Sequence, residues 1–166
     1  MYTSFFEMFS IGIGPSSSHT LGPMRAAKRF LESLGKDVEI VERLLIQVYG
    51  SLALTGEGQG TQKALILGLH GHTAEDLPVD RISDILDKVK GTGFIPLLHD
   101  QKRTQFCLED DIRLEKRKRL PFHSNGLRFM ALDSKADLLS CKHYYSIGGG
   151  FVVEEGEKLE CQLDGK

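Results

Sequence analysis

Leu127-Arg128-Phe129-Met130-Ala131-Leu132-Asp133-Ser134-Lys135-Ala136-Asp137-Leu138-Leu139-Ser140-Cys141-Lys142-His143-Tyr144-Tyr145-Ser146-Ile147 reads as two strands separated by a turn. Both flanks are rich in aliphatic and aromatic side chains, and Asp133-Ser134-Lys135 between them is built of residues that favour chain reversal. Ser124-Asn125-Gly126 supplies a second turn just ahead of the first strand. Working back from there, residues 94–98 and 104–108 also read as strands, as does Leu44-Leu45-Ile46-Gln47-Val48-Tyr49, a short β-branched and aromatic run that ends at Gly50.

The amino-terminal half follows a different period. Leu21, Met24, Ala27, Phe30, Leu31 and Leu34 recur at three-and-four spacing, which predicts an amphipathic helix over residues 18–34 closed by Gly35. Ala64, Leu65, Gly68 and Leu69 predict a second helix, with Thr61 placed to cap it and Gly71 to end it. Ile82, Ile85, Leu86 and Val89 predict a third, capped by Asp80 and stopped by Gly91. Helices early and strands late favour an α+β domain, with helices packed on one face of a largely antiparallel sheet. The 166 residues are enough for one domain and carry no internal repeat or low-complexity linker.

Composition excludes several classes of function. With 40% hydrophobic and 27% charged residues the chain is of ordinary globular type. Lysine and arginine (21) nearly balance aspartate and glutamate (23), so nothing draws the whole chain to nucleic acid or an anionic membrane. No apolar run approaches the ~20 residues of a spanning helix. Residues 1–14 have neither the basic start nor the apolar core of a signal peptide. Cys107, Cys141 and Cys161 match no disulfide framework and no C-x-x-C metal site, and are expected to be reduced thiols in a cytoplasmic protein.

Glycine is over-represented, at 18 residues, and its clusters predict four loops dominated by backbone. The first contains Gly12-Ile13-Gly14-Pro15-Ser16-Ser17-Ser18-His19-Thr20. Hydroxyls leading into a helix start, where unpaired N–H groups carry partial positive charge, suit a carboxylate or phosphate; the plainer reading is one capping serine among solvated ones. The second, residues 49–61, alternates glycines that let a backbone approach a ligand closely, or that simply make a flexible connection. The third places His123 before the Ser124-Asn125-Gly126 turn, and the fourth runs Tyr144-Tyr145-Ser146-Ile147 into Gly148-Gly149-Gly150, either a closely packed segment or a flexible exit. Glu115-Lys116-Arg117-Lys118-Arg119 has the composition of a nuclear-localisation or nucleic-acid patch, but in a net acidic chain it reads rather as a solvated charged loop. His70 and His72, two apart, share a face only on a strand.

Together these segments resemble the amino-terminal β domain of bacterial iron-sulfur-dependent L-serine dehydratases, also called L-serine ammonia-lyases. The resemblance covers residues 5–155 and rests on residues 12–20 with Gly22-Pro23-Met24, on Tyr49-Gly50-Ser51-Leu52-Ala53-Leu54-Thr55-Gly56, on His123 with Asn125-Gly126, and on residues 144–151. It implies a lyase that needs no PLP and converts L-serine to pyruvate and ammonia, a step of amino-acid catabolism and gluconeogenesis. It also implies a [4Fe-4S] cluster, held by an α domain in cis or trans and not by this chain, whose open iron acts as a Lewis acid on the serine hydroxyl. Residues 1–155 would then be the β domain and 156–166 the start of a linker towards that α domain, and the chain alone would be inactive. The fold expected from the resemblance is similar to the allosteric substrate-binding domain of phosphoglycerate dehydrogenases, so a non-catalytic module for serine or another small anion is the alternative. A homodimer through the sheet is compatible with either reading.

On this resemblance His19 and His123 are the acid-base candidates, with Ser16, Ser17, Ser18, Thr20, Gly56, Gly58, Gln59 and Asn125 binding substrate and no residue binding metal. One departure stands out. The family usually carries T-G-K-G-H-x-T-D where this chain has Thr55-Gly56-Glu57-Gly58-Gln59-Gly60-Thr61-Gln62. A glutamine donates and accepts hydrogen bonds but cannot relay a proton near neutral pH.

Overall fold

The computed structural model describes residues 18–77 and 79–156. Its elements run α1 (Leu21–Ser33), β1 (Arg43–Tyr49), α2 (Gly50–Gln59), α3 (Thr61–His70), α4 (Ile82–Thr92), β2 (Phe94–Leu97), β3 (Lys102–Gln105), α5 (Leu108–Asp111), β4 (Ile112–Glu115), β5 (Gly126–Leu132), β6 (Leu138–Gly148) and β7 (Phe151–Glu154). Short 3-10 turns occupy Gly35–Ile40 and Val79–Arg81.

The strands β4-β1-β5-β6-β7 form one five-stranded sheet, and β2 and β3 a separate hairpin. Every pair in the large sheet is antiparallel except β1 with β4. The protein is therefore α+β with a largely antiparallel sheet, as its order of elements predicts.

Alternation along the strands decides which face the helices cover. Leu44, Ile46 and Val48 of β1 and Leu127, Phe129 and Ala131 of β5 are fully buried. Their neighbours of opposite parity carry a polar ladder: Arg128 Nε donates to Gln47 Oε1 at 2.6 Å, the Tyr49 hydroxyl donates to the same oxygen at 3.1 Å, and Gln47 Nε2 donates to Glu115 Oε1 at 3.2 Å. Against the apolar face, the α1 stripe of Met24, Ala27, Phe30 and Leu31 is buried as its spacing predicts. Phe30 stacks on Phe129 with ring centres 5.3 Å apart, and Tyr144 meets Phe129 edge-on at 5.6 Å. Burying side chains of this size contributes roughly 1.5–3 kcal/mol each. α3 is apolar almost all round, with residues 64–69 buried, and an all-round apolar helix belongs in the interior; it packs against α1, α2, α4 and β2.

Several expectations are corrected. Residues 50–59 form a helix rather than a loop, because Gly50 at φ +56° turns the chain out of β1 and Leu52 and Ala53 then find buried places. Thr61 does not cap α3 with its side chain; Gly60 holds the cap position, and the threonine hydroxyl is used elsewhere. Nor does Asp80 cap α4, since a 3-10 turn intervenes, and α4 passes through Gly91 to end at Gly93, which has φ +72°. β3 lies at 102–105 rather than 104–108, where its register with β2 is set. β4 and β7 were not expected at all. The Gly148–Gly150 run is no exit: it reverses the chain so that β7 pairs with β6, and Arg25 Nη1 donates to Gly150 O at 2.6 Å. His70 and His72 do share a face without a strand, because Gly71 at φ +105° folds the chain back; the two rings stack at 4.8 Å.

Candidate active site

The β1–α2 corner and the start of α1 meet on His19. At the corner, Gly50 N–H donates to Lys118 O at 2.9 Å and Ser51 N–H donates to Ser124 O at 3.0 Å. Gly50 is required twice over: its φ of +56° lies in the left-handed region, and a Cβ there would collide with Ser124 O. The chain thereby delivers Ser51 Oγ to 3.4 Å from Nε2 of His19, while Ser18 Oγ lies 2.9 Å from Nδ1. Both ring nitrogens face hydroxyls, which can donate or accept and so suit either neutral tautomer.

The backbone around this ring is held just as firmly. Thr61 Oγ1 donates to His19 O at 2.7 Å, and Ser146 Oγ donates to Ser18 O at 2.7 Å. Ser146 N–H donates to Asn125 O at 3.0 Å, and Asn125 Nδ2 donates to Ser146 O at 3.1 Å, so the His123 turn is tied to β6 by a reciprocal pair. Asn125 N–H in turn donates to His123 Nδ1 at 3.0 Å, which leaves the proton of the neutral His123 ring on Nε2. Asn125 Oδ1 is buried without a donor. Burial holds the His19 pKa below its ordinary 6.5, with a hydrogen bond to the Ser51 backbone opposing. The ring is therefore neutral near pH 7, the form in which an imidazole can act as a base.

Cys107 and Cys141 are exposed free thiols, and among the described residues no three His, Cys, Asp or Glu side chains are grouped to hold a metal ion. No helix among them is long and apolar enough to cross a membrane.

The family model described as serine dehydratase beta chain matches residues 4–157, a stretch that includes all four motif segments. The chain belongs to the serine dehydratase beta chain family. It is similar to an L-serine dehydratase of Streptomyces coelicolor, 45% identical over 157 residues that cover 93% of this chain and 34% of that protein. An L-serine dehydratase of Haemophilus influenzae is 44% identical over 154 residues, covering 92% of this chain and 34% of the relative. The L-serine dehydratase TdcG of Escherichia coli is 41% identical over the same length and shares. The chain thus spans about a third of the length of the curated relatives it matches.

In this member of the family the structure joins some of the expected site residues and omits others. Ser18, His19 and Asn125 fall in one hydrogen-bonded network, which reaches His123 through Asn125. Thr20 lies at the start of α1 and is 1% exposed. Ser16 and Ser17 lie outside the described residues, as does Cys161. Gly56, Gly58 and Gln59 belong to α2 rather than to a loop, and the surroundings of their side chains lie outside what is described. Sequence reasoning missed Ser51 and Ser146, although both fall within the motif segments. The available signal was their neighbours: Gly50 marks a turn that presents Ser51, and Gly22 marks a helix surface that something must approach closely, which is Ser146.

Proposed function

We propose that this chain forms one wall of an L-serine ammonia-lyase active site, the other wall being an α domain, in cis or trans, that holds a [4Fe-4S] cluster. The reading is supported by family membership and by relatives named L-serine dehydratase of which this chain covers 34%. The chemistry assigned to this chain is proton transfer and substrate binding. No PLP is called for, and the reaction belongs in the cytoplasm.

Elimination from L-serine removes the Cα proton and expels hydroxide from Cβ. The C–H electron pair becomes the Cα=Cβ bond, and the enamine tautomerises to an imine that water hydrolyses to pyruvate and ammonia. The observation that carries the proposal is the His19 ring, held between Ser18 and Ser51 and kept neutral by burial. A neutral imidazole is the side chain suited to take the Cα proton at pH 7. Hydroxyls of Ser16, Ser17, Ser18 and Thr20 bind the substrate carboxylate. Gly56, Gly58, Gln59 and Asn125 complete the pocket. With Gln59 in the place of the family histidine, His123 is the second proton carrier.

The test mixes the chain anaerobically with a cluster-loaded α domain of the same family and assays pyruvate from L-serine, with Gln59→His and His19→Asn in parallel. Pyruvate from the natural chain, reduced about 10²- to 10⁴-fold in His19→Asn, is the expected result. Activity in Gln59→His alone would mean a domain that kept its fold and lost its proton chemistry. Silence in both, while the α domain works with its own β domain, would overturn the lyase reading in favour of a small-anion binding module.

A further inference from the structure

At the far end of α3 from His19, α4 and the β2–β3 hairpin enclose a cleft of about 420 Å³, within the size range of small-molecule sites. α3 has 10 residues, so at ~1.5 Å per residue its two ends are roughly 14 Å apart. Thr61 at one end holds the His19 carbonyl, and His70 at the other lines the cleft. The two places are separate.

The lining is unusual for a chain with a net charge of -2. Arg81 and Lys88 from α4 and its entry, and Arg103 from β3, all face the cleft, against a single carboxylate, Asp100. Among the described residues none of the three cations has a carboxylate within ion-pair distance. Arg103 is nonetheless positioned, with its guanidinium 5.5 Å from the centre of the Phe94 ring. Phe94, Val89 and Ile85 supply an apolar floor beneath these charges. His70 Nδ1 is buried without a partner at the same wall. The negative pole of α3 does not oppose an anion here, because the last carbonyls of the helix already accept N–H groups, Leu69 O from Leu98 at 3.0 Å and His70 O from His99 at 2.7 Å. The hairpin rim is also strained: Leu98, His99 and Asp100 are three consecutive non-glycine residues at positive φ, a conformation retained only where surrounding packing over-determines it.

We infer that this cleft binds a small organic anion, a phosphate or carboxylate joined to an apolar body, at a site independent of the proposed lyase chemistry. Arg81, Lys88 and Arg103 take the charge, and the Phe94–Val89 floor takes the body. Three cations and an apolar floor line one cleft, so an anion with an apolar part satisfies the charges and covers the exposed apolar surface together.

The probes are phenyl phosphate, inorganic phosphate, benzoate and the uncharged benzyl alcohol, titrated into the isotopically labelled chain at about 0.15 M salt and followed by amide resonances. Phenyl phosphate is expected to shift Lys88, Thr92, Phe94 and Arg103 saturably, with benzoate next and inorganic phosphate at least about tenfold weaker for want of an apolar body. Arg103→Gln, an exposed replacement, is expected to weaken phenyl phosphate about tenfold while the remaining spectrum stays that of the folded chain. The inference is overturned if shifts do not saturate, if they fall equally on remote Lys36, if benzyl alcohol binds as well as phenyl phosphate, or if Arg103→Gln changes nothing.

Discussion

Gly22 of α1 and Ser146 of β6 are packed so closely that a Cβ on the glycine would collide with the serine hydroxyl, and that hydroxyl donates to Ser18 O at 2.7 Å. The contact fixes the residue before His19 to the sheet. Gly22→Ala is therefore expected to push Ser146 Oγ away and cost about 1–3 kcal/mol through overpacking. Ser146→Ala alone is expected to cost about 1 kcal/mol for one hydrogen bond. Urea denaturation of both single variants and the double variant checks this. Purely additive effects would mean that the two residues do not share the space the structure gives them.

Stability should fall as pH is lowered through the ordinary histidine range. Burial lowers the pKa values of His19, His70 and His72 below 6.5, with repulsion among the neighbouring rings adding to the effect at His70 and His72 and with Asp76 opposing it at His72. In the unfolded chain these groups take up protons near pH 6.5, and in the folded chain only at lower pH. Between those values the unfolded state binds more protons, so stability is fully present above about 6.5 and is lost as pH falls towards the depressed folded values. The urea midpoint should be lower at pH 5.5 than at pH 7.5, conditions chosen to bracket the ordinary value of about 6.5. A His70→Gln, His72→Gln double variant should flatten the slope. An unchanged midpoint across that interval would contradict the burial of these rings.

Asn125 joins the His123 turn to β6 through its amide, its carbonyl and its N–H together. Asn125→Asp removes the Nδ2 donor and sets a carboxylate against Ser146 O in a position only 9% exposed. A loss of roughly 2–3 kcal/mol is expected, that of a buried polar group left without its partner. Asn125→Asp should recover part of its stability at acid pH, where the carboxyl is protonated and can donate; thermal melts at neutral and acid pH, each referred to the natural chain, decide the point.

Periodicity carried far into the fold. The α1 stripe, β1, β2, and the paired β5 and β6 are where alternation and turn residues put them, because each of those signals acts over a few neighbouring residues. It failed where a distant contact outweighed local preference. Thr61 has the chemistry of a helix cap but spends its hydroxyl on the carbonyl of His19, and Asp80 is displaced from its cap by a 3-10 turn. β4, Ile112-Arg113-Leu114-Glu115, runs straight into the charged residues 116–119 with no turn signal to bound it, and it becomes a strand because β1 offers a parallel edge. Of the site, the serine-histidine segment and the His123 turn were legible as unusual sequences; Ser51 and Ser146 were not, since each is an ordinary serine until the chain folds.

By itself the sequence determined the fold class, the apolar faces, and the segments from which a site is built, since these depend on side-chain period and turn chemistry close along the chain. Only the tertiary structure decided that Ser51, 32 residues from His19, and Ser146, 128 residues from Ser18, meet in one network. That convergence depends on sheet order and on how closely α1 can approach β6, quantities set by packing across the whole core rather than by any local preference.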